Sequence, residues 1–346
     1  NPTRTGYQFT GWTGTGISSA SNSVKITTGS TGNRSYTANW KANTVYIAYG
    51  VNGGTVSSST YSVNQYGYVQ NASNNPWFHS VQYGNKDDMY NASTLGLTKN
   101  GYTFAYWQNE KTGTKYQQDD VYESINFYGD NTSQTTANTA DVRCYVKAIW
   151  APIDYAITYD LAGGSISGQK TSYNIETANF TLPTPTRSGY TFAGWTGTGL
   201  SSATKSVTVA KGSTGVRSYT ATWTKDTYTI SYNLNGGSVT GNPTSYQVDT
   251  ADITLKSPSK AGYTFAGWTG SNGSTAQATV KIAKGSTGNK SYTANWKANT
   301  YTYNIKYVSK SGVSLGTATV SGTYGSSKNV TAPAKAGYST PAAQNV

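Results

Sequence analysis

Seven residues constrain this chain more than anything else in it. Gly262-Tyr263-Thr264-Phe265-Ala266-Gly267-Trp268 recurs as Gly189 to Trp195, as Gly6 to Trp12 with two changes, and as Gly101 to Trp107 with Tyr106 in place of the second glycine. Downstream of each copy a strand-like stretch closes on another tryptophan, at Trp40, Trp150, Trp223 and Trp296. Of the nine tryptophans, only Trp77 stands outside these two slots. Trp195 and Trp268 lie 73 positions apart, as do Trp150 and Trp223, and Trp223 and Trp296. Repetition, not length, therefore sets the domain count. A unit this small buries only about 60% of its unfolded surface. Its stability must come from large aromatic side chains, and Trp12, Trp40, Trp107, Trp150, Trp195, Trp223, Trp268 and Trp296 are the expected core.

Within one unit the signals are those of short strands. Tyr228, Ile230, Tyr232 and Leu234 alternate with polar residues, as a half-buried strand does. Asn235-Gly236-Gly237 follows, with equivalents at Asn52-Gly53-Gly54 and Ala162-Gly163-Gly164, and supplies the positive φ of a tight turn. Ile253-Thr254-Leu255, Tyr263 and Phe265, Val280 and Ile282, and Tyr292, Ala294 and Trp296 are the remaining apolar pieces. Gly267 implies a bulge or a close backbone approach. Glu occurs only at positions 110, 123 and 176, and long helix formers are scarce, which excludes a helical protein. The expected class is mainly β: four or five short strands per unit and at most one short helix, in a tandem array forming an elongated rod.

Residues 1–43 read as the C-terminal part of a module, 44–152 as an enlarged module, 153–225 and 226–298 as regular modules, and 299–346 as the start of a different one. Connections of about four residues cannot serve as long tethers. The N-terminal residues match the middle of a unit, so the sequence reads as a window on a longer repeat protein. Signal peptide and anchor are expected outside it. The one cysteine, Cys144, allows no intrachain disulfide and suits a small buried position in the strand leading to Trp150.

The enlarged module breaks the pattern. Tyr46 to Trp150 holds 36 residues more than Tyr155 to Trp223, 21 of them before Gly101 and 15 after. The added text carries Trp77, the only His (His79), the only Met (Met89) and many aromatics. Residues 46–150 hold six Lys/Arg against eight Asp/Glu, a net of −2, whereas the rest of the chain carries +14. An acidic, aromatic island thus sits in a basic array, and long loops grafted on a repeated scaffold are where binding usually resides. Trp77, Phe78, His79, Tyr83, Tyr90 and Tyr106 are the expected ligand-binding residues. The plain alternative is that they pack the insertions onto the scaffold.

Tyr155-Ala156-Ile157-Thr158-Tyr159-Asp160-Leu161-Ala162-Gly163-Gly164, then Pro183 to Trp195, then Tyr219-Thr220-Ala221-Thr222-Trp223, resemble the Listeria–Bacteroides repeat, also described as the internalin B-repeat type. The resemblance covers Tyr155 to Trp296 closely, Asn1 to Lys41 in part, and Tyr46 to Trp150 with insertions. The stretch from Tyr301 is similar to the opening of a mucin-binding-protein repeat. The resemblance implies β-grasp modules in large, secreted, cell-wall-associated adhesins of Gram-positive bacteria, in which the repeats often form the stalk. It carries no catalytic residues. Many relatives have a charged, helix-forming stretch after Gly-Trp, where this chain is rich in Ser, Thr and Gly.

Chemistry finds little purchase. His79 and Cys144 lie 65 positions apart without a motif, so a thiol protease has no basis. Asp87-Asp88, Asp119-Asp120, Glu123 and Asp130 are the candidate acids for a glycosidase, and adjacent loop acids are usually solvated. No cofactor is expected. Calcium is the one left open, with Asp119, Asp120 and Asp130 as weak oxygen ligands lacking the ordered EF-hand spacing. The net charge of +12 comes from dispersed Lys without an Arg cluster or recognition helix, which argues against nucleic acid and for anionic polysaccharide if for any polyanion. The expected partners are a host-surface or mucin glycan or protein, with self-association as an alternative and no membrane insertion in this segment. Three functions follow: an adhesin with its ligand site at 46–150, a purely mechanical stalk, or a hydrolase needing two converging carboxylates.

Overall fold

The computed structural model describes residues 1–117, 121–123 and 141–345. Among the described residues every regular element is a strand. The chain falls into two compact units: Asn1–Thr158 with Lys170–Thr181 and Thr208–Arg217, and Tyr159–Gln169 with Leu182–Val207 and Ser218–Val346.

In the second unit, residues 227–298 show the repeat complete. Its sheet runs in the order Ser245–Gln247, Thr227–Asn233, Lys290–Ala298, Tyr263–Gly270, Gly273–Gln277. The central pair is parallel, Ile230 opposite Lys290, and its neighbours are antiparallel. Ile253–Thr254 pairs with Lys281–Ile282 as a separate two-stranded layer. Ile230, Tyr246, Leu255, Trp268, Val280, Ile282, Tyr292 and Ala294 are buried together between them. The short helix that the sequence allowed does not form; the chain between Gln247 and Tyr263 makes the Ile253–Thr254 strand instead. That stretch, with Asp249, Asp252, Pro258 and Ser259, lacks the run of helix formers a helix would need.

The repeated heptapeptide owes its shape to a bulge. Phe265 pairs with Trp296 and Gly267 with Asn295, so the register slips by one residue between them. A regular strand places residues 265 and 267 on one face. The slip instead turns Trp268 to the side of Phe265, with ring centroids 5.3 Å apart, and Phe265 also meets Trp296 at 5.6 Å. Both sequence readings of Gly267 hold, since a Cβ there would also lie 2.7 Å from the Gln277 nitrogen. The same slip occurs at Phe9/Gly11, Phe192/Gly194 and Phe104/Tyr106.

The Asn-Gly-Gly turn is bound to the second tryptophan. Asn235 has φ of 47° and its side-chain amide donates to the Ala294 carbonyl at 3.0 Å. A Cβ on Gly237 would sit 2.4 Å from Trp296 Cζ2, so the indole lies directly on the glycine backbone. Trp296 Nε1 then donates to the Leu234 carbonyl at 3.0 Å. Trp223 and Trp150 repeat the arrangement on Gly164 with Leu161 and on Gly54 with Val51.

Of the expected core tryptophans, Trp107, Trp195 and Trp268 are fully buried, whereas Trp12, Trp40, Trp150, Trp223 and Trp296 are half-buried. Residues 1–43 form a three-stranded sheet, Ile17–Ser21, Tyr7–Gly14 and Tyr36–Ala42. Residues 299–345 form a long hairpin, Thr300–Val308 with Ser314–Thr323, and a short pair, Asn329–Val330 with Gln344–Asn345.

Successive repeats meet through one joint, used four times. In the first unit Asn43 and Ile153 donate backbone N–H groups to the carbonyls of Gly6 and Gly101. In the second unit Asp226 and Asn299 do the same to Gly189 and Gly262. A side chain of the following repeat lies flat on each glycine: Tyr83 on Gly6, Ile175 on Gly101, Val248 on Gly189, Tyr324 on Gly262. Polar contacts flank the joints. Tyr102 donates to Glu176 at 2.9 Å, and Lys225 pairs with Asp249 at 2.5 Å.

Candidate functional site

The enlarged repeat lies wholly in the first unit and keeps the sheet of the regular one: Lys115–Tyr116, Tyr102–Asn109, Val142–Pro152, Thr44–Gly50, His79–Gln82, with the central pair parallel. Thr44 faces Gln82 just as Thr227 faces Gln247, so His79–Gln82 takes the place of Ser245–Gln247. The residues added before Gly101 therefore lie mainly between the Gly-Gly turn and that edge strand. They fold into an extra hairpin, Tyr61–Val63 with Val69–Asn71, that no other repeat possesses among the described residues.

The sequence-predicted site residues separate into distinct places. His79 is buried, and Phe78 and Tyr90 pack on the core around Tyr49. Tyr49 stacks on His79 at 5.7 Å and meets Trp107 edge-on at 4.7 Å. Tyr49 donates its hydroxyl proton to His79 Nδ1 at 2.5 Å and accepts from the Tyr90 N–H at 3.1 Å. His79 Nε2 reaches Asp87 at 3.1 Å. Burial lowers the His79 pKa below its ordinary value, against the upward pull of Asp87 and Asp88, and raises that of Tyr49 well above the usual phenol. His79 is therefore neutral at pH 7, Nδ1 accepting and Nε2 donating. Tyr49 is wholly buried, and the polar chain reaches the surface only at Asp87.

Tyr83 is the joint residue on Gly6, with Tyr7 edge-on at 5.5 Å, and corresponds to Val248 of the regular repeat. Tyr106 stands where the other repeats have the bulge glycine, half-buried, with Lys115 Nζ 4.9 Å from its ring centroid. Cys144 is buried in the strand Val142–Pro152 as expected, in contact with the Asn109 amide at 3.3 Å. Asp119, Asp120 and Asp130 lie outside the described residues. Among those described, no three His, Cys, Asp or Glu side chains gather as a metal-ligand set.

Trp77 lines an open cleft. Its volume is about 810 Å³, and the extra hairpin walls it together with Ala48, Arg143 and Tyr145 of the sheet. Trp77 meets Tyr145 edge-on at 4.9 Å, and the Arg143 guanidinium lies 5.1 Å from the Trp77 ring centroid. Tyr68 packs on Tyr145 at 5.4 Å and donates its one hydroxyl proton to the Glu110 carboxylate, 3.1 Å from either oxygen. Burial first, then the charge of Glu110, push the Tyr68 pKa up to about 12. At the tip of the hairpin Tyr66 is 76% exposed. The turn that holds it there is tight, with Asn64 Oδ1 accepting from the Tyr66 and Tyr68 N–H groups at 2.9 and 3.0 Å.

Tyr66, Tyr68 and Tyr145 are the aromatic cleft residues that sequence reasoning did not select. Tyr66 and Tyr68 belong to the inserted text, but nothing in their spacing marks them as exposed. Tyr145 sits on a scaffold strand whose alternation, Val142, Cys144 and Val146 inward, points it outward, and that signal was present in the sequence.

Residues 155–220 and 228–296 match the Listeria-Bacteroides repeat domain, and residues 3–44 match the Divergent InlB B-repeat domain. A protein of Evansella cellulosilytica described as a "Putative Gly-rich membrane protein" is 26% identical over 282 residues. That alignment covers 78% of this chain and 28% of the relative, so the chain corresponds to well under half of that protein's length. No helix among the described residues is long and apolar enough to cross a membrane. Residues 155–220 and 228–296, two successive copies with the same bulge, turn and tryptophan contacts behind a divergent copy, are thus Listeria-Bacteroides repeats, a kind of repeat typical of extracellular surface proteins.

Proposed function

We propose that this chain is the repeat region of a secreted bacterial surface adhesin. Its regular repeats serve as a spacer, and the repeat at 46–150 presents a non-enzymatic ligand site, the cleft around Trp77, to a host-surface glycan, mucin or protein. One observation carries the reading: the extra hairpin occurs only in the enlarged repeat, and it builds an aromatic cleft instead of merely thickening the core. The strand order with its parallel central pair supports reading each repeat as a β-grasp sheet whose helix has been replaced by a strand pair. The family assignment supports an extracellular location and a role without catalysis.

Removing residues 65–98 would be a poor test, because Met89, Leu95 and Leu97 within them belong to the core. Beads carrying the full chain should instead be compared with beads carrying Trp77→Ala on mucin-coated and epithelial surfaces. Retention should fall for Trp77→Ala and stay constant for Tyr303→Ala, an exposed tyrosine of the C-terminal hairpin. Equal retention of all three would sink the ligand-site reading. It would leave the spacer alone, which the fourfold use of one joint favours independently.

A further inference from the structure

We infer that the ligand of the Trp77 cleft is an uncharged oligosaccharide chain, bound by aromatic faces and side-chain amides; the inference rests on the ligand-site reading above. The lining decides the chemistry. Trp77, Tyr66, Tyr68 and Tyr145 supply ring surface, and Asn64, Gln65, Gln70 and Asn74 supply amides. Among the described residues no carboxylate lines the cleft, and Arg143 is the one charged side chain that does, already set against the Trp77 ring.

These groups keep unspent hydrogen-bonding capacity. Asn64 uses its Oδ1 to hold the Tyr66 turn, and Asn74 uses its Oδ1 to accept from Gln70 at 3.1 Å. Both amide nitrogens remain to donate, and each amide NH₂ offers two hydrogens. A pyranose presents an apolar C–H face to an aromatic ring and a rim of hydroxyls that both donate and accept. Rings flanked by amides complement that pattern at each edge.

The competing ligands fit less well. An anionic polysaccharide needs several cations to replace its counterions. The cleft offers one, in a repeat of net charge −2. A protein interface needs a dry apolar anchor pocket at its centre, whereas here polar amides are distributed along the whole wall. The volume, about 810 Å³, falls in the range of roughly 300–1,000 Å³ for small-ligand sites and accommodates a short run of sugar rings.

The test uses the full chain on a glycan array holding neutral hexose and N-acetylhexosamine oligosaccharides beside sialylated and sulfated ones. Calorimetry on the best hit then follows for the parent chain, Tyr66→Ala and Trp77→Ala. Tyr66→Ala is the decisive variant, since a side chain 76% exposed is removed without disturbing the core. We expect neutral oligosaccharides to bind, each variant to weaken them about tenfold, the loss of one stacked ring, and affinity to be insensitive to salt between about 50 and 500 mM. Binding confined to sialylated or sulfated glycans and lost with salt overturns the inference, as does neutral binding that both variants retain. Adhesion that survives enzymatic removal of glycans from the surface overturns the inference and keeps the ligand-site reading. Absence of adhesion to every surface overturns both.

Discussion

Gly237→Ala tests the claim that the repeat is organised around a tryptophan lying on a glycine. The added methyl would sit 2.4 Å from Trp296 Cζ2, 3.1 Å from Cη2 and 3.0 Å from the Ser259 carbonyl, distances at which something must move. Trp296 cannot retreat freely, because its indole N–H is held by the Leu234 carbonyl and its ring by Phe265. The backbone of Gly237 is not in the left-handed region, so the cost is steric. Overpacking of this kind costs about 1–3 kcal/mol. At about 4–8 °C per kcal/mol for a domain of this size, the calorimetric transition of this repeat should fall by roughly 4–24 °C in the full chain. Trp296→Phe removes the benzo edge that the methyl strikes, and loses the Leu234 hydrogen bond, worth about 1 kcal/mol, and some apolar area. The double variant should therefore be more stable than the sum of the singles predicts, by about 1–2 kcal/mol. Gly236→Ala is the control. Its φ of 82° makes the penalty one of backbone strain, and its nearest neighbour is the flexible end of Lys260 at 3.6 Å. That cost, about 1–2 kcal/mol, should be unaffected by Trp296→Phe. Strict additivity for Gly237→Ala with Trp296→Phe would refute the contact as the reason for the glycine.

The same structure sets further expectations. His79 has a folded pKa below its ordinary 6.5, so the unfolded chain takes up a proton first as pH falls. The stability it contributes is present above about pH 6.5 and lost below it; thermal scans at pH 8 and 5 should show this loss in the parent and a smaller one in His79→Gln, and equal losses would contradict the burial of His79 against Tyr49. Trp107 Nε1 donates to the Tyr90 carbonyl at 2.9 Å, whereas Trp268 Nε1 finds no acceptor among the described residues. Trp107→Phe should cost about 1 kcal/mol more than Trp268→Phe by urea denaturation, and the reverse order would argue against that bond. Val248→Asp puts a charge on the Gly189 joint beside Asp249, so trypsin should cut after Lys225 several-fold faster than in the parent; an unchanged rate would mean that the joint does not protect its linker.

Much of the fold was legible because its determinants are local. Period-two alternation at Tyr228 to Leu234, the glycine pair of the turn and the bulge glycine each carry their own geometry, and all of them appear where the sequence puts them. The pairing of Thr227–Asn233 with Lys290–Ala298 was not legible. It joins residues some sixty positions apart, and only the shared core around Trp268 decides it. The absent helix was a local question too, but the scarcity of helix formers told against it only weakly.

The site was legible at the level of the segment and not of the side chain. Trp77, Phe78 and His79 are consecutive aromatic residues in inserted text, and composition gives no reason to divide them. What divides them is which strand His79 enters. Its pairing opposite Ile47 turns the imidazole into the core, and Phe78 follows by stacking on Tyr90 at 5.6 Å. Trp77, left on the other side, meets Tyr145, whose outward direction the scaffold strand had already fixed. The cleft therefore arises where an insertion's leftover aromatic meets the solvent face of a regular strand. In the regular repeats the residues that align with Tyr145, just before the inward Tyr219 and Tyr292, are Ser218 and Ser291, so the equivalent outward position carries no ring. An uninserted repeat has neither the extra hairpin nor a ring at that position, and Tyr145→Ser in the enlarged one should remove oligosaccharide binding while leaving its sheet, and the Tyr49–His79 core behind it, intact by circular dichroism.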